Sequence, residues 1–365
     1  MLYQAYQFHD DLLAPFREVA RNSKAAVERQ IIPTVDAWRA HLAAGFEMIS
    51  RFELTHSRPE FAISTVRVGN RDVPVSEEVA LKLPFGNLLH FRKDIDSKQP
   101  KVLVVAPLSG HFATLLARTC ETLLQDHDVY ITDWVNARDV PLDAGRFGVD
   151  EYVDYIIRFV EEIGPDTHLL AVCQPCVQAL VAVAVMSEDK NPATPRSMTL
   201  MAGPIDVRES PTAVNKLASE KPLSWFKANV TARVPARYAG GGRRVYPGFV
   251  QLFSFVAMNV DRHRAQHQKL YDHLAKGELA EAQKIKNFYD EYFAVLDLTE
   301  EFYLETIDRI FQKAELATGD FTYHGRKVDC AKILKTALLT VEGGRDDICA
   351  LGRRRMTSAN RCVRT

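Results

Sequence analysis

The chain has 365 residues, of which 47% are hydrophobic and 25% are charged, a composition typical of one large globular domain or two ordinary ones. Its 46 Lys and Arg residues nearly balance its 47 Asp and Glu residues, so its net charge does not favour nucleic acid or anionic lipid as a partner. Six cysteines are too few for a disulfide scaffold in a chain of this length, and we expect a cytoplasmic protein with reduced thiols. The longest apolar run, Ala179 to Met186, is too short for a membrane span, and the N-terminus does not resemble a secretory signal.

The first 60 residues carry apolar side chains at helical spacing, among them Leu2, Leu12 and Phe16, and Pro33 interrupts this pattern. Residues 1–60 are therefore predicted to form an N-terminal helical segment. From Phe61 the apolar residues alternate with a period of two, and turn-forming residues separate the runs. This change predicts antiparallel strands at the start of a core that covers residues 61–203.

Beyond Pro100, short apolar runs alternate with helical stretches, a pattern typical of a doubly wound, mostly parallel α/β sheet with helices on both faces. The alternation stops over residues 204–332, which we interpret as a helical cap inserted into the core. It resumes over residues 333–348, which carry an acidic loop, and residues 349–365 form an atypical Arg-rich tail. The predicted strands are VLVVAP (102–107), DVYITDW (128–134), HLLAVC (168–173), SMTLMAG (197–203) and TALLTVEGG (336–344).

The strongest chemical signal is Cys173, which lies between a predicted strand and an apolar helix. A cysteine at a helix N-terminus favours the thiolate, the form that attacks a carbonyl carbon. The backbone amide of Gln174 in the same turn is a candidate donor to the resulting oxyanion. Two alternatives remain open: Cys173 and Cys176 are small buried fillers, or they form a redox pair of the thioredoxin type.

The loop after the first parallel strand, Pro107–His111, is the second candidate. In a hydrolase of this architecture it supplies the other oxyanion donor, and we assign that role to the backbone amides of Leu108 and Ser109. The alternative is an ordinary turn between a strand and a helix. His111 in this loop either supports the site or is simply solvated.

Two acidic positions compete for the task of orienting a catalytic imidazole. Asp346 and Asp347 follow the last predicted strand, and Asp206 follows the strand before it. The pattern of residues alone does not choose between these two places.

In this order, the motifs resemble those of intracellular polyhydroxybutyrate depolymerases. The resemblance implies an α/β-hydrolase fold in which a cysteine replaces the usual serine nucleophile, with an aspartate and a histidine completing the triad. It also implies a stored 3-hydroxybutyrate polyester or its oligomers as substrate, degraded in the cytoplasm at the granule surface without metal or cofactor. Cys173 then matches the nucleophile and Asp346 the acid, with Asp347 as the second choice. Supporting motifs are Tyr130–Trp134, Met201–Asp206, Ser210–Asn215, Gly242–Phe249, Val256–Asn259 and Phe288–Tyr292.

The sequence departs from this family in its last residues, because no histidine follows His324, which itself precedes Asp346. We expect a truncated or frameshifted reading of a longer gene, with His111 as the nearest surrogate base and impaired turnover. One alternative is an inactive granule-binding protein that uses the aromatic stretches Ser224–Phe226 and Tyr246–Phe255, although these also suit a cap core. Another is a polyester synthase-like acyltransferase. Chain-length preference, exo or endo cleavage and oligomeric state stay open.

Overall fold

The structure is a computed structural model, and it describes residues 2–29, 36–95, 98–344, 346 and 348–349. Helices and strands alternate through the middle of the chain and a mainly helical region follows. The α-helices are α1 (Leu2–Glu28), α2 (Asp36–Ser50), α3 (Ala117–Leu124), α4 (Val149–Ile163), α5 (Cys176–Glu188), α6 (Ala213–Glu220), α7 (Leu223–Asn229), α8 (Gly248–Met258), α9 (Val260–Lys276), α10 (Leu279–Tyr292), α11 (Glu300–Glu305) and α12 (Glu315–Thr318). No described helix is long and apolar enough to cross a membrane.

The strands are β1 (Thr65–Val68), β2 (Arg71–Leu83), β3 (Gly86–Lys93), β4 (Lys101–Val105), β5 (Asp128–Trp134), β6 (His168–Val172), β7 (Ser197–Met201), β8 (Ala232–Arg233), β9 (Arg244–Tyr246), β10 (Leu298–Thr299), β11 (Thr322–Tyr323), β12 (Arg326–Lys327) and β13 (Ala337–Val341). Over the described residues, eight of them form one sheet in the order β1-β2-β3-β5-β4-β6-β7-β13. The first three pair antiparallel, and β5, β4, β6, β7 and β13 are parallel to one another. The predicted α/β fold class is confirmed.

The strand order fixes where a site can form. The chain enters the parallel part of the sheet at β4, crosses to β5 on one side, and then returns to β6 on the other side. In such sheets the loops that leave neighbouring strands in opposite directions open a crevice at the carboxyl ends of the strands. The loop after β4 and the turn after β6 flank this crevice, and these are the two segments singled out by sequence.

Helix α5 packs beneath the turn after β6. Residues Val177 to Met186 are all buried, which is expected for a helix that is apolar on every side. The run Ala179–Met186 is therefore a core helix, and burying aliphatic side chains of this size stabilises a fold by roughly 1.5–3 kcal/mol each. The nucleophile candidate is attached to one of the most deeply buried helices of the described chain.

Residues between β7 and β13 contain α6 to α12, a small sheet in the order β10-β9-β8, and the β11-β12 hairpin. The aromatic stretches of this region are mainly internal, because Phe226, Tyr246 and Phe249 are buried. The ring of Tyr246 stacks on that of Tyr303 with centroids 3.8 Å apart. These residues form a cap core, the second of the two interpretations given above for them.

The predicted N-terminal helical segment contains the helices α1 and α2, and α1 buries only part of its apolar surface. Tyr3 is buried and its hydroxyl donates to Asp297 Oδ2 over 2.8 Å, which joins the start of α1 to the cap. The apolar positions of α1 that repeat at three- and four-residue spacing point outward instead. We call the following four residues the α1 stripe; they are 55% to 72% exposed: Phe8, Leu12, Phe16 and Val19.

Candidate functional site

Cys173 occupies a strained turn between β6 and α5. Its φ angle is +67°, a left-handed conformation that non-glycine residues rarely adopt and that tends to mark functional turns. Its N–H donates to the carbonyl of Met201 on β7 over 2.7 Å, and its carbonyl accepts the N–H of Cys176 over 3.2 Å. The side chain of Cys173 is half-buried, whereas Cys176 is fully buried. A strand, a residue in the left-handed conformation and a buried helix have the geometry of a nucleophile elbow, with Cys173 at its candidate position.

The second cysteine of the turn is part of the core. Its Sγ donates to the carbonyls of Ala171 over 3.4 Å and Met201 over 3.5 Å, and burial raises the pKa of this thiol. A Cβ placed on Gly203 would lie 2.2 Å from the Cβ of Cys176, so only glycine fits at that point. The alternative that both cysteines are small buried fillers therefore fits Cys176. Cys173 is only half-buried and remains the candidate for a reactive thiol.

The loop after β4 begins at Ala106, whose backbone forms three hydrogen bonds to side chains. The carbonyl of Ala106 accepts hydrogen bonds from the Trp134 indole over 2.8 Å and from the Tyr152 hydroxyl over 3.0 Å. The N–H of Ala106 donates to Thr132 Oγ1 over 2.9 Å. Sequence reasoning missed Tyr152 altogether and used Trp134 only as part of a motif. A bulky aromatic at the end of a predicted strand was the available signal.

The two candidate segments contact each other through Gln174. Its Oε1 accepts the backbone N–H of Leu108 over 3.3 Å, so this predicted oxyanion donor is already occupied by a side chain. Ser109 lies half-buried next to Leu108. The Gln174 side chain is buried, and its Nε2 has no hydrogen-bond partner among the described residues. The Leu108 amide can therefore bind another oxygen only if Gln174 Oε1 moves away.

The far end of the same loop is packed against the cap. Gly110 has a φ of +94°, and a Cβ there would lie 2.8 Å from the Cγ of Gln251. His111 Nε2 lies 3.1 Å from the carbonyl oxygen of Tyr292, its ring stacks on those of Phe255 and Tyr292, and burial lowers its pKa to about 4. This neutral imidazole joins the loop to the cap, so its contacts do not favour the role of surrogate base.

The structure separates the two acid candidates. Asp206 is buried, and its two oxygens accept from Nε and Nη2 of Arg208 over 2.8 and 2.7 Å. Hydrogen bonds from that guanidinium lower the pKa of Asp206. Asp346 follows β13, and its Oδ1 accepts the backbone N–H groups of Ile348 and Cys349 over 2.9 and 2.8 Å. Asp206 already has a cationic partner, which leaves Asp346 as the better candidate.

Part of the predicted site lies outside the described residues, namely Asp347 and the Arg-rich tail from residue 350 onward.

Two histidines that precede Asp346 form hydrogen bonds at places away from Cys173. His168 lies at the start of β6, the end opposite Cys173, where its Nδ1 is 2.7 Å from Ser197 Oγ. His324 Nε2 is 3.0 Å from a carboxylate oxygen of Asp154 on α4. The structure thus unites Cys173, Gln174 and Leu108, and these two imidazoles do not join them.

Comparison with known proteins bears on the second half of the chain. Residues 202–364 match the family described as "PHB de-polymerase C-terminus". This range includes the cap, β13 and the acid loop, and it continues into the Arg-rich tail. No curated protein matches the chain.

Several solved structures are similar. A putative lipase from Acinetobacter baumannii has 16% identity and a TM-score of 0.32, covering 73% of this chain and 83% of its own. An esterase from Pyrobaculum calidifontis has 13% identity and a TM-score of 0.28, covering 57% and 64%. Naproxen esterase from Bacillus subtilis has 12% identity and a TM-score of 0.29, covering 53% and 61%. The aligned part of this chain thus spans less than two thirds of the length of each of the two esterases. By its sheet order the chain has a doubly wound, mostly parallel α/β fold, and the family match places the similarity to PHB depolymerases in residues 202–364.

Proposed function

We propose that the chain is a carboxylic ester hydrolase that cleaves poly(3-hydroxybutyrate) or its oligomers through a thioester on Cys173. The observation that carries this proposal is the left-handed conformation of Cys173 at the carboxyl end of β6, beside the loop of Leu108. The family match of residues 202–364 supports the choice of substrate. Together these observations favour acyl transfer by a thiol in the crevice at the carboxyl ends of β4 and β6.

In the proposed reaction the Cys173 thiolate attacks an ester carbonyl carbon, and the carbonyl oxygen becomes an oxyanion. The backbone N–H of Gln174 and, once vacated, that of Leu108 stabilise this charge. The C–O bond then breaks, the alcohol leaves with a proton from the general acid, and an acyl-thioester remains. Water, deprotonated by the same group acting as base, hydrolyses the thioester and regenerates the thiol. Asp346 is proposed to orient that group, which the resemblance identifies as a histidine.

An insoluble polyester must be degraded at its surface, so the enzyme needs a face that adsorbs to an apolar solid. The α1 stripe supplies exposed apolar side chains over about 16 Å of helix, at 1.5 Å per residue. Exposed apolar surface of this kind commonly marks an interaction site. We therefore propose that the protein acts in the cytoplasm, at the granule surface, with the α1 stripe against the polymer.

The proposal is tested by turnover on amorphous polymer granules. Wild type is expected to release soluble 3-hydroxybutyrate and Cys173→Ala is not. Cys176→Ala is the matched control, because it removes a thiol from the same turn that is buried and bonded to backbone carbonyls. Release by Cys173→Ala at the wild-type rate would contradict the proposal.

A second candidate function is granule binding without hydrolysis. It is favoured by one observation, the exposed apolar side chains of the α1 stripe, which binding alone would use. Cosedimentation of the wild type with granules, without any release of 3-hydroxybutyrate, would support this candidate. A synthase-like acyltransferase would instead incorporate acyl groups from an acyl-CoA into polymer, which the same preparation can test.

A further inference from the structure

A cavity of about 910 Å³ lies between α1, α2, α9 and α10, away from Cys173. Its size falls within the range of small-molecule sites, which are mostly apolar with a few convergent polar groups. None of Cys173, Gln174 and Leu108 lines it. Its apolar walls include Leu13, Phe16, Ile49, Phe52, Leu270 and Phe293. We call it the helix pocket.

The charged lining of the helix pocket has an excess of cations: four basic residues, Arg17, Arg21, Lys24 and Arg51, and three acidic residues, Glu47, Glu53 and Asp290. Each of the three acids already has a basic partner. Lys24 and Lys286 each lie 3.0 Å from Glu47, Arg21 lies 3.2 Å from Glu53, and Arg51 pairs with Asp290. The three acids are therefore satisfied within the protein, and Arg17 takes its own ion-pair partner, Asp10, from outside the lining.

Arg17 is the cation best placed to receive a ligand. Its side chain is 5% exposed, and it pairs with Asp10 over 2.8 Å. Within the described part of the chain its Nε has no hydrogen-bond partner, since the nearest oxygen of Glu53 lies 3.8 Å away. A buried donor without an acceptor destabilises the fold, and an ionised acceptor removes that penalty through a charge-assisted hydrogen bond.

We propose that the helix pocket binds a carboxylate attached to an apolar chain, with the carboxylate on Arg17 and the chain against Phe16, Ile49 and Phe52. Within the proposed function, the matching compound is a linear 3-hydroxybutyrate oligomer with a free acid end. Such an oligomer is the product class of polyester hydrolysis, so the site would sense or retain product. A fatty acid has the same chemistry and is the other source to be distinguished.

The helix pocket is connected to the candidate active site by backbone hydrogen bonds. Phe293 in its wall accepts the N–H of Thr55 over 3.0 Å, and Thr55 accepts the N–H of Val295 over 2.8 Å. Val295 forms a β-bridge with His111, and Gly110 accepts the N–H of Leu296 over 3.0 Å. An occupied pocket would therefore contact the same backbone segment that positions the loop of Leu108.

The test uses the full chain with Cys173→Ala, so that no probe is hydrolysed, and it follows the methionine methyl groups by ¹³C NMR. Met48 lines the helix pocket, and Met201 lies next to Cys173. The probes are the linear trimer of 3-hydroxybutyrate as free acid, the same trimer as methyl ester, and decanoate. We expect a saturable shift of the Met48 signal with the free acid, and at least tenfold weaker binding of the methyl ester.

Adding Arg17→Gln is expected to weaken the Met48 titration at least tenfold, whereas Arg92→Gln, on β3 and outside the pocket, leaves it unchanged. If Arg17→Gln fails to fold, the comparison of acid and ester still decides, because it needs no further variant. Equal affinity of acid and ester, or no Met48 shift with either the trimer acid or decanoate, would overturn the proposal. A shift with decanoate alone would overturn the assignment to ester oligomers. Absence of turnover in wild type would defeat the proposed function and leave this titration unaffected.

Discussion

The backbone N–H of Leu108 donates a hydrogen bond to Oε1 of Gln174 over 3.3 Å, and this bond joins the loop after β4 to the turn after β6. The same glutamine supplies its own backbone N–H to the proposed oxyanion site. Its side chain and a substrate oxygen therefore compete for one donor. A neutral hydrogen bond of this length contributes only about 0.5–1.5 kcal/mol, so a substrate can displace it.

Gln174→Glu should make that competition far more severe. A carboxylate binds the Leu108 amide more strongly than an amide oxygen does, and its negative charge opposes a developing oxyanion. We expect kcat/KM at pH 8 to fall about 10²- to 10³-fold, the range seen when an oxyanion donor is removed. Gln174→Met, which is neutral and of similar length, should lose less than about tenfold. Equal activity of the two variants across the pH range would contradict this role for Gln174.

Gly203→Ala should destabilise the turn that holds Cys173. The new Cβ would lie 2.2 Å from the Cβ of Cys176 and 3.5 Å from the carbonyl oxygen of Cys173, so β7 or α5 must shift. We expect the free energy of unfolding in urea to fall by about 3 kcal/mol, together with a loss of turnover. The control is Gly45→Ala in α2, where a Cβ meets nothing within 4 Å. This change should raise the free energy of unfolding by about 0.5–1 kcal/mol, because alanine favours a helix more than glycine does. A Gly203→Ala protein as stable as wild type would contradict the packing described here.

Stability should depend on pH through Asp297, the carboxyl that binds Tyr3 and the N–H of Gly248. Burial raises its pKa from 3.8 to about 6, so the folded chain holds this proton more tightly than the unfolded chain. Its contribution to the free energy of unfolding is therefore full below pH 4, falls as the pH rises to about 6, and is lost above that.

Asp297→Asn removes this titration. Relative to wild type, the variant should gain up to about 3 kcal/mol of unfolding free energy between pH 4 and pH 7, at 1.36 kcal/mol per pKa unit. Urea unfolding at a series of pH values measures the difference, with the exposed residue Asp143 changed to Asn as the control. A difference that stays constant with pH would show that Asp297 does not titrate in this range.

We predict that the α1 stripe contributes to binding of the protein to polymer granules. Leu12→Ser together with Phe16→Ser should reduce cosedimentation with amorphous polymer, because the exposed apolar area falls. Hydrolysis of a soluble short ester should be unchanged, since these side chains are exposed and lie outside the turn of Cys173. The control is Leu279→Ser, which removes a leucine from α10 that is more exposed than Leu12. Loss of soluble activity, or undiminished cosedimentation, would refute the assignment of this face.

Sequence patterns predicted the strands of the parallel sheet and the position of Cys173, because both depend on local alternation of apolar runs and turns. The predicted run 102–107 became β4, Lys101–Val105, and 168–173 became β6, His168–Val172. The predicted run 128–134 matched β5 at both ends, whereas the other four predicted strands extended too far at their carboxyl ends. There the chain leaves the sheet while its residues remain buried, as Ala106 does.

What the sequence did not disclose depends on contacts between distant segments. The Gln174 side chain reaches Leu108, 66 positions away, and His111 reaches Tyr292, 181 positions away. In contrast, the pairing of Asp206 with Arg208 spans two positions, and the Asp-x-Arg pattern was an available signal against Asp206. The exposure of the apolar face of α1 was also not predictable, because periodicity identifies a face without saying what covers it.

The most direct test of the central claim is to trap the acyl-enzyme. The protein is mixed with an activated butyrate ester, quenched in acid, digested, and analysed by mass spectrometry for an acyl group that hydroxylamine removes. The account predicts the adduct on Cys173 in wild type and in Cys176→Ala, and none in Cys173→Ala. Ester turnover with no adduct on Cys173, or with the adduct on another residue, would contradict it.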